Sequence, residues 1–338
     1  MATNNPPLLE VKNLRVEFPT RRGTLLAVDN VSFEISPGEV LGVVGESGAG
    51  KSLTGNAIIG LLEPPGRIAG GEVRLEGRRI DNLPYEEMRK VRGARIGAIF
   101  QDPLTSLNPL YSVGRQLVET IQTHKQLSAT AARARALELL KEVGIPAAEH
   151  RIDHYPHQFS GGMRQRVVIA LALCADPRLI VADEPTTALD VSIQAQIIAL
   201  LKRLCREHKT AVMLVTHDMG VIAETADRVA VMYAGRIAEI GPVRDVIKNA
   251  QHPYTRGLMG SIPHLEERGE RLTQIDGSMP RLTEIPRGCA FNPRCTLRGE
   301  RCLVDRPELM AAGASRAACW LHDDRGVGPS VATELANA

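Results

Sequence analysis

Hydrophobic and polar residues alternate in two stretches near the start of the chain, and an unbroken apolar run follows them. The alternation predicts two half-buried β-strands. Their apolar positions are Val11, Leu14, Val16 and Phe18 in the first strand and Val28, Val31, Phe33 and Ile35 in the second. A Ser-Pro-Gly turn at 36–38 leads into the apolar run 40–44, which predicts a short buried strand. We expect a helix to begin near Leu53.

Strand and helix patterns alternate again up to about residue 250. Residues 73–100 predict short strands and loops, and 102–165 predict helices, with Ser128 as a helix N-cap. Later strands are expected at 179–182, 211–215 and 229–233. A helical apolar stripe lies between them at Ile193, Ile197, Leu200, Leu201 and Leu204. The pattern predicts an α/β fold with a mainly parallel sheet, helices on both faces and a helical insertion at about 102–165.

The character of the sequence changes after about Gln251. Prolines and scattered charges become frequent there, and four of the six cysteines lie in this part. A C-terminal extension of different composition therefore follows the α/β part. The last stretch, 323–338, is small and polar, and we predict that it is disordered.

Composition and charge exclude several classes of protein. The chain has 41 Lys and Arg against 39 Asp and Glu, a net charge of +2, which gives no sign of a nucleic-acid-binding surface. Residues 1–8 lack a signal-peptide pattern, and no apolar run reaches the roughly 18 residues of a membrane span. The six scattered cysteines favour a reducing compartment. We therefore expect a soluble or peripheral protein.

A glycine-rich phosphate cradle connects the predicted strand 40–44 to the helix after it. Its G-x-x-x-x-G-K-S pattern comprises Gly45, Glu46, Ser47, Gly48, Ala49, Gly50, Lys51 and Ser52. Glycines let backbone N–H groups converge on an anion, and the helix N-terminus adds partial positive charge. We expect Lys51 to reach the β- and γ-phosphates of a nucleotide and Ser52 to bind Mg²⁺. Leu53 completes the predicted ATP-binding segment.

Two carboxylates follow the predicted strand 179–182. Asp183 is expected to hold Mg²⁺ beside Ser52, directly or through water. Glu184 can polarise the water that attacks the γ-phosphate. The pair predicts hydrolysis as well as binding.

A second candidate anion site lies at Ser160, Gly161 and Gly162, which open another predicted helix. A hydroxyl and unobstructed N–H groups at a helix start can bind an anion. One subunit cannot fold both anion sites onto one nucleotide if they lie far apart. The pattern therefore implies a second copy.

The order of six motifs resembles that of ATP-binding cassette (ABC) ATPases over residues 8–250. These motifs are the phosphate loop, Gln101, the Ser-Gly-Gly segment, the Asp-Glu pair, the Ala-Leu-Asp sequence 188–190 and His217. The resemblance implies a P-loop nucleotide-binding domain with an antiparallel β subdomain.

The resemblance also implies roles for single residues. Gln101 would touch Mg²⁺ and the attacking water, and His217 would contact the γ-phosphate. Ser160 and Gly162 would complete the ATP site of the opposite subunit, and Asp190 would help join the two halves. The adenine contact departs from the family pattern, because Arg22 stands near the place where many cassettes have an aromatic residue. Its guanidinium plane can stack on a ring.

Segments 100–109 and 252–258 resemble those of dipeptide and oligopeptide importers. The implied organisation is an ATPase domain at 8–258, a peptide-transporter-type extension at 259–322 and a tail at 323–338. The chain would work as a peripheral subunit at the cytoplasmic face of the bacterial inner membrane and power import of di- or oligopeptides.

The implied partners are a second ABC ATPase subunit, either a copy or a paralogue, and two transmembrane permeases. An extracytoplasmic peptide-binding protein would be an indirect partner. Nickel importers share much of this architecture, so a nickel or other small-solute importer is the alternative.

Four cysteines of the extension form a candidate metal site: Cys289, Cys295, Cys302 and Cys319. Four thiolates suit a tetrahedral metal ion or an iron–sulfur cluster, and their spacings differ from the C-x-x-C of a zinc ribbon. Similar extensions in the peptide-importer family hold a [4Fe-4S] cluster, so the resemblance implies a cluster here, with Zn²⁺ as the alternative. We expect its role to be structural, because this segment has too few apolar residues to pack unaided. Cys174 and Cys205 have apolar helical surroundings and are expected in the core.

Two other functions fit the sequence less well. Cassette ATPases of DNA repair or translation typically have two cassettes in one chain or long coiled-coil insertions, whereas this chain has one phosphate loop and no sustained heptads. A regulatory module that holds ATP without cleaving it would not need the intact Glu184 and His217.

Overall fold

Two β-sheets organise this computed structural model, which describes residues 6–21, 23–187, 189–260 and 275–323. The elements up to the end of the helical insertion are β1 (Leu9–Thr20), β2 (Gly23–Ile35), β3 (Val40–Val44), α1 (Lys51–Ile58), β4 (Arg67–Leu75), β5 (Arg78–Arg79), α2 (Tyr85–Val91), β6 (Ile96–Ile99), α3 (Pro103–Ser106), α4 (Val113–His124), α5 (Ala129–Glu142), α6 (Ala148–Arg151) and α7 (Gly161–Leu173). The later elements are β7 (Leu179–Asp183), α8 (Val191–His208), β8 (Ala211–Val215), α9 (Met219–Thr225), β9 (Arg228–Tyr233), β10 (Arg236–Pro242), α10 (Val243–Lys248), α11 (Pro253–Gly260), α12 (Arg301–Val304), β11 (Met310–Ala312) and β12 (Ser315–Ala317). Short 3₁₀ turns lie at Pro156–Gln158, Asn292–Arg294 and Trp320–His322.

The smaller sheet is antiparallel, has the strand order β2-β1-β4-β5, and contains the first predicted pair of strands. Leu9 lies opposite Ile35 and Val11 lies opposite Phe33, so apolar side chains on neighbouring strands cover each other. Leu9 and Val11 are buried on this face. The prediction of these two strands is confirmed.

The larger sheet has the strand order β11-β12-β10-β9-β3-β8-β7-β6. The pairs from β9 to β6 are parallel, and the others are antiparallel. Strands β3 and β8 are buried at every position, as expected for parallel strands covered on both faces. Because parallel strands end at the same edge, the loops after β3, β7 and β8 meet there. The predicted mainly parallel α/β fold is confirmed.

The helical insertion lies between β6 and β7. It comprises α3 to α7, and its fully buried residues include Leu117, Ile121, Leu139 and Leu140. Ser128 caps α5, because its Oγ accepts a hydrogen bond from the N–H of Ala131 at 3.2 Å. The predicted helical character of this segment and the predicted cap are confirmed.

The hydrophobic pattern did not predict helix α2 or strands β10 to β12. Helix α2 buries only Met88 and Val91, which is too little to show a helical period. Strands β11 and β12 have three residues each, too few for a clear alternation. Glu239 of β10 lies opposite Ala317 of β12, so the C-terminal extension adds strands to the main sheet.

No helix within the described ranges is long and apolar enough to cross a lipid bilayer. The predicted disordered tail lies, apart from Asp323, outside the described residues.

Candidate functional site

The loop between β3 and α1 surrounds the side chain of Lys51, the first residue of α1. Gly45 has a φ of 150°, and a Cβ there would lie 2.2 Å from the carbonyl oxygen of Met232, so only glycine fits. Lys51 is 7% exposed, and its Nζ donates hydrogen bonds to the carbonyl oxygens of Gly45 at 2.9 Å and Glu46 at 3.1 Å. Burial lowers the pKa of Lys51, while two nearby carboxylates act in the opposite direction. The loop thus holds a desolvated cation at the N-terminus of a helix, as an anion site requires.

The remaining predicted residues of the cradle lie on the same turn or at the start of α1. Gly50 precedes the first helical residue and has a left-handed φ of 98°. The others are Ser47, Gly48, Ala49 and Leu53. The predicted strand–loop–helix arrangement is therefore present.

Ser52 and Asp183 meet at the edge of the sheet where the parallel strands end. The hydroxyl of Ser52 donates a hydrogen bond of 3.0 Å to Oδ1 of Asp183. Burial raises the pKa of Asp183, and the neighbouring Glu184 adds to this effect, although the bond from Ser52 acts against it. A bound cation would relieve this cost. A hydroxyl and a carboxylate are the oxygen ligands that Mg²⁺ prefers, so this pair fits the predicted metal site.

Glu184 is the centre of a polar cluster formed by three loops. Its φ of 46° is a left-handed conformation that is uncommon outside glycine. Its carboxylate accepts hydrogen bonds from Thr187 Oγ1 at 2.6 Å and Gln101 Nε2 at 3.3 Å, and it lies 3.1 Å from Nδ1 of His217. Burial opposes ionisation of Glu184, but the contacts with Thr187 and His217 outweigh it and lower its pKa. The structure thus brings the three predicted catalytic residues together around an ionised carboxylate.

Thr187 is a contact of Glu184 that the sequence analysis missed. It lies only three residues after Glu184, and the turn that joins them is closed by a hydrogen bond from the N–H of Thr187 to the carbonyl oxygen of Glu184 at 3.3 Å. The sequence signal that could have indicated this contact is a hydroxyl residue shortly after the acidic pair.

The Ser-Gly-Gly segment lies beside the start of α8 rather than in the cradle. Ser160 caps α7, because its Oγ accepts a hydrogen bond from the N–H of Met163 at 3.4 Å. A Cβ added to Gly162 would lie 2.7 Å from Cγ2 of Ile193, and one added to Gly161 would lie 3.5 Å from Leu189. The exposed Asp190 precedes the first residue of α8. These residues form a second group of predicted site residues.

Arg22, the predicted adenine contact, lies outside the described residues.

The four cysteines of the extension line one cavity of about 680 Å³. Within the described ranges, however, no group of three or more His, Cys, Asp or Glu side chains is arranged to hold a metal ion. The predicted iron–sulfur site, with Zn²⁺ as its alternative, is therefore not supported by the side-chain positions of Cys289, Cys295, Cys302 and Cys319. All four cysteines line the same cavity, but their side chains are not arranged as a set of metal ligands.

Burial raises the pKa of Cys289 to about 11 and that of Cys319 to about 12, and nearby cysteines contribute to both shifts. The thiols are thus close enough to influence one another. Cys174 and Cys205 are each 1% exposed, and their predicted place in the core is confirmed.

A phosphate cradle after β3 and an acidic pair at the end of β7 of the same parallel sheet are typical of P-loop NTPases, and a Ser-Gly-Gly segment at a helix start is the further mark of the ABC ATPases among them. Residues 28–187 match the family described as ABC transporter, and residues 238–302 match the oligopeptide/dipeptide transporter C-terminal region.

Whole-chain relatives make the family more specific. The chain is 49% identical over 320 residues to the dipeptide transport ATP-binding protein DppD of Bacillus subtilis (strain 168), which covers 94% of this chain and 96% of that protein. It is 50% identical over 311 residues to the oligopeptide transport ATP-binding protein OppD of Escherichia coli (strain K12), which covers 92% of each. The chain belongs to the family of dipeptide and oligopeptide transport ATP-binding proteins, and it is an ATPase.

A solved structure with the same fold is the ATP-binding cassette MJ0796, a dimer in a post-hydrolysis state bound to ADP and Pi. The TM-score is 0.63 at 32% identity, and the match covers 70% of this chain and 99% of that one.

Proposed function

We propose that this chain is the ATP-hydrolysing subunit that powers import of di- or oligopeptides from the cytoplasmic face of a bacterial inner membrane. The observation that carries the proposal is the contact of Glu184 with Gln101 and His217 beside the Ser52–Asp183 pair. The relatives named as dipeptide and oligopeptide transport proteins support the substrate class. A nickel or other small-solute importer stays the alternative.

The cradle residues would hold the nucleotide. Lys51 would exchange its bonds to the carbonyl oxygens of its own loop for bonds to the β- and γ-phosphates. Ser52 and Asp183 would hold Mg²⁺, which neutralises negative charge on the phosphates when it is bound. Gln101 would contact the same region from the start of the helical insertion.

Glu184 would act as the general base. Its lowered pKa keeps it ionised near neutral pH, so it can accept a proton from the attacking water. Thr187 and His217 would fix its orientation, because both contact its carboxylate. The side chain of His217 is more exposed than that of Glu184, and it would contact the γ-phosphate.

A second cassette would complete the site. Ser160, Gly161, Gly162 and Asp190 lie together at the start of α7 and α8, and from there they would contact the nucleotide of a partner subunit. The dimeric relative supports this arrangement. ATP binding would close the pair and hydrolysis would reopen it, which presents two different surfaces to the permeases.

The permeases would dock on the helical insertion. A groove of about 420 Å³ is lined by Phe100, Thr105, Val168 and Leu171, among others. Phe100 is 43% exposed, and Leu104 on the neighbouring helix α3 is 62% exposed. Exposed apolar residues beside a groove fit a helical segment of a partner protein. Phe100 and Thr105 of the groove flank Gln101 in the chain, so docking would be coupled to the ATP site.

The cysteines of the extension would hold a [4Fe-4S] cluster with a structural role, with Zn²⁺ as the alternative. Support comes from the thiolate donor set and from a cavity that has room for more than one metal atom. Protein purified without oxygen should contain about four iron atoms and equal sulfide per chain, and Cys289→Ser should lose them. Colourless protein without iron and sulfide would contradict the cluster, and zinc in its place would support the alternative.

The transport function is tested in proteoliposomes that contain this chain, a second cassette and two permeases. A peptide-binding protein loaded with a dipeptide should stimulate phosphate release and drive uptake of the labelled dipeptide. Uptake of nickel instead of peptide would contradict the peptide substrate. A complete complex that releases no phosphate would contradict the ATP-driven mechanism.

A further inference from the structure

An ion pair joins the C-terminal extension to the phosphate loop. Nη1 of Arg294 lies 2.9 Å from Oε1 and 3.1 Å from Oε2 of Glu46, the second residue of the cradle. The Arg294 side chain is 7% exposed and the Glu46 side chain is 28% exposed, so water screens the pair only in part. These residues are 248 positions apart in the chain. The extension therefore contributes a charged side chain to the loop that receives ATP.

Glu46 connects this arginine to the lysine of the cradle. Its carbonyl oxygen accepts a hydrogen bond from Lys51 Nζ at 3.1 Å. Its backbone N–H donates to the hydroxyl of Tyr254 at 3.0 Å. Every polar group of Glu46 is thus held, and Arg294 is two contacts away from the ammonium group that binds phosphate.

Contacts with other residues also hold the guanidinium of Arg294 in place. Its Nε donates to the carbonyl oxygen of Asp276 at 2.9 Å, and its Nη2 contacts the carbonyl oxygens of Ile275 and Gly277 at 3.3 Å each. Segment 275–279 lies against the loop as well, because a Cβ added to Gly48 would lie 3.1 Å from Cε of Met279. The guanidinium is therefore preorganised, and little side-chain entropy is lost when it pairs with Glu46.

The charges of Arg294 and Glu46 affect nucleotide binding, because the loop beside them would bind the negatively charged phosphates. A carboxylate in a phosphate cradle repels a polyanionic ligand, and a guanidinium in contact with it cancels most of that repulsion. We propose that Arg294 is a positioning residue of the ATP site, which holds the phosphate loop through Glu46 and neutralises its charge. This inference rests on the proposed role of the cradle in ATP binding and makes the extension a part of that site.

The proposal predicts a specific pattern of effects on nucleotide affinity. Arg294→Met should raise the Kd for ATP and the KM of hydrolysis about ten-fold, while kcat at saturating ATP changes less than about two-fold. Arg294→Lys, which keeps the charge, should recover part of the loss. Glu46→Gln in the Arg294→Met background should restore most of the affinity, because it removes the charge that was left unpaired.

Arg306→Met is the matched control. Arg306 is another arginine of the extension that pairs with the α/β part, since its Nη1 lies 3.0 Å from Oδ2 of Asp29, but it does not contact the phosphate loop. This variant should leave the Kd for ATP unchanged even if thermal unfolding shows a loss of stability. Nucleotide binding, hydrolysis and thermal unfolding are measured on the full chain for every variant.

Three results would overturn the proposal: normal ATP affinity in Arg294→Met, an equal loss of affinity in Arg306→Met, or a double variant with simply additive losses. Wild-type protein that binds no ATP would instead contradict the function of the cradle itself. The two failures are therefore distinguishable.

Discussion

The hydroxyl of Ser52 lies 3.0 Å from Oδ1 of Asp183, although 131 residues separate them in the chain. The sheet explains this contact, because Ser52 follows β3, Asp183 ends β7, and β8 pairs with both strands. Parallel strands deliver the residues at their carboxyl ends to one edge. The pair is therefore a consequence of the fold, and it provides the oxygen ligands that the proposed Mg²⁺ site needs.

Asp183→Asn should abolish most hydrolysis. The amide can still accept the bond from Ser52, but it lacks the charge that attracts Mg²⁺, so phosphate release should fall at least about 100-fold. The fold should survive, because the amide is nearly isosteric. Phosphate release is measured over a range of Mg²⁺ concentrations, together with thermal unfolding. Hydrolysis with the wild-type dependence on Mg²⁺ would contradict the assignment.

Glu184→Gln should keep ATP binding and lose most turnover. Loss of a general base lowers the rate by about 10²- to 10⁴-fold, and the variant should accumulate as a long-lived ATP-bound dimer, visible by size-exclusion chromatography. Thr187→Val is the graded comparison, because it removes one hydrogen bond to the base and should cost about ten-fold. Unchanged hydrolysis in Glu184→Gln would overturn the role of this residue.

Local sequence patterns predicted the strands, loops and helices that carry the site residues. They predicted less well which of these residues contact one another. The cradle, the acidic strand end and the alternating strands β1 and β2 each have a short-range signature. Tyr254 and Arg294 have none, because their contacts with the site are set by tertiary packing, whereas Thr187 lies three residues after Glu184 and reaches it within one turn. The four cysteines of the extension do line one cavity, as their shared site requires, but spacing along the chain does not determine whether their side chains are arranged to hold a metal.

The cysteines of the core and those of the extension should differ in reactivity. Burial raises the pKa of both Cys174 and Cys205 to about 12, so at pH 8 only about one thiol in ten thousand is ionised in the folded chain. Iodoacetamide should leave both unlabelled between pH 7 and pH 9, and denaturation should expose them. Mass spectrometry of peptides reads out the labelling. Cys174→Ala and Cys205→Ala should also retain any metal that the extension binds, whereas loss of metal in either variant would contradict their assignment to the core.

Leu104→Ser should separate docking from catalysis. Leu104 is 62% exposed beside the groove of the helical insertion, so its loss should not disturb the core, and basal ATP hydrolysis by the purified chain should stay within about two-fold of wild type. Co-purification with the permeases should weaken, because apolar anchors in grooves carry much of an interface's affinity. Leu303→Ser, at an exposed leucine of α12, is the control and should leave co-purification intact. Equal effects of both variants would argue against the groove as the docking site.

Lys51→Ala should weaken nucleotide binding itself, unlike the change at Glu184. Lys51 is the buried cation of the cradle, and its Nζ donates hydrogen bonds to the carbonyl oxygens of Gly45 and Glu46. Removing it takes away a charge-assisted contact to the phosphates and leaves both carbonyl groups without this donor. The Kd for ATP should therefore rise by at least about ten-fold. Equilibrium binding of a fluorescent ATP analogue measures the change, and thermal unfolding of the same sample verifies the fold. Normal affinity in a folded Lys51→Ala variant would contradict the cradle assignment and, with it, the route by which Arg294 acts on the nucleotide.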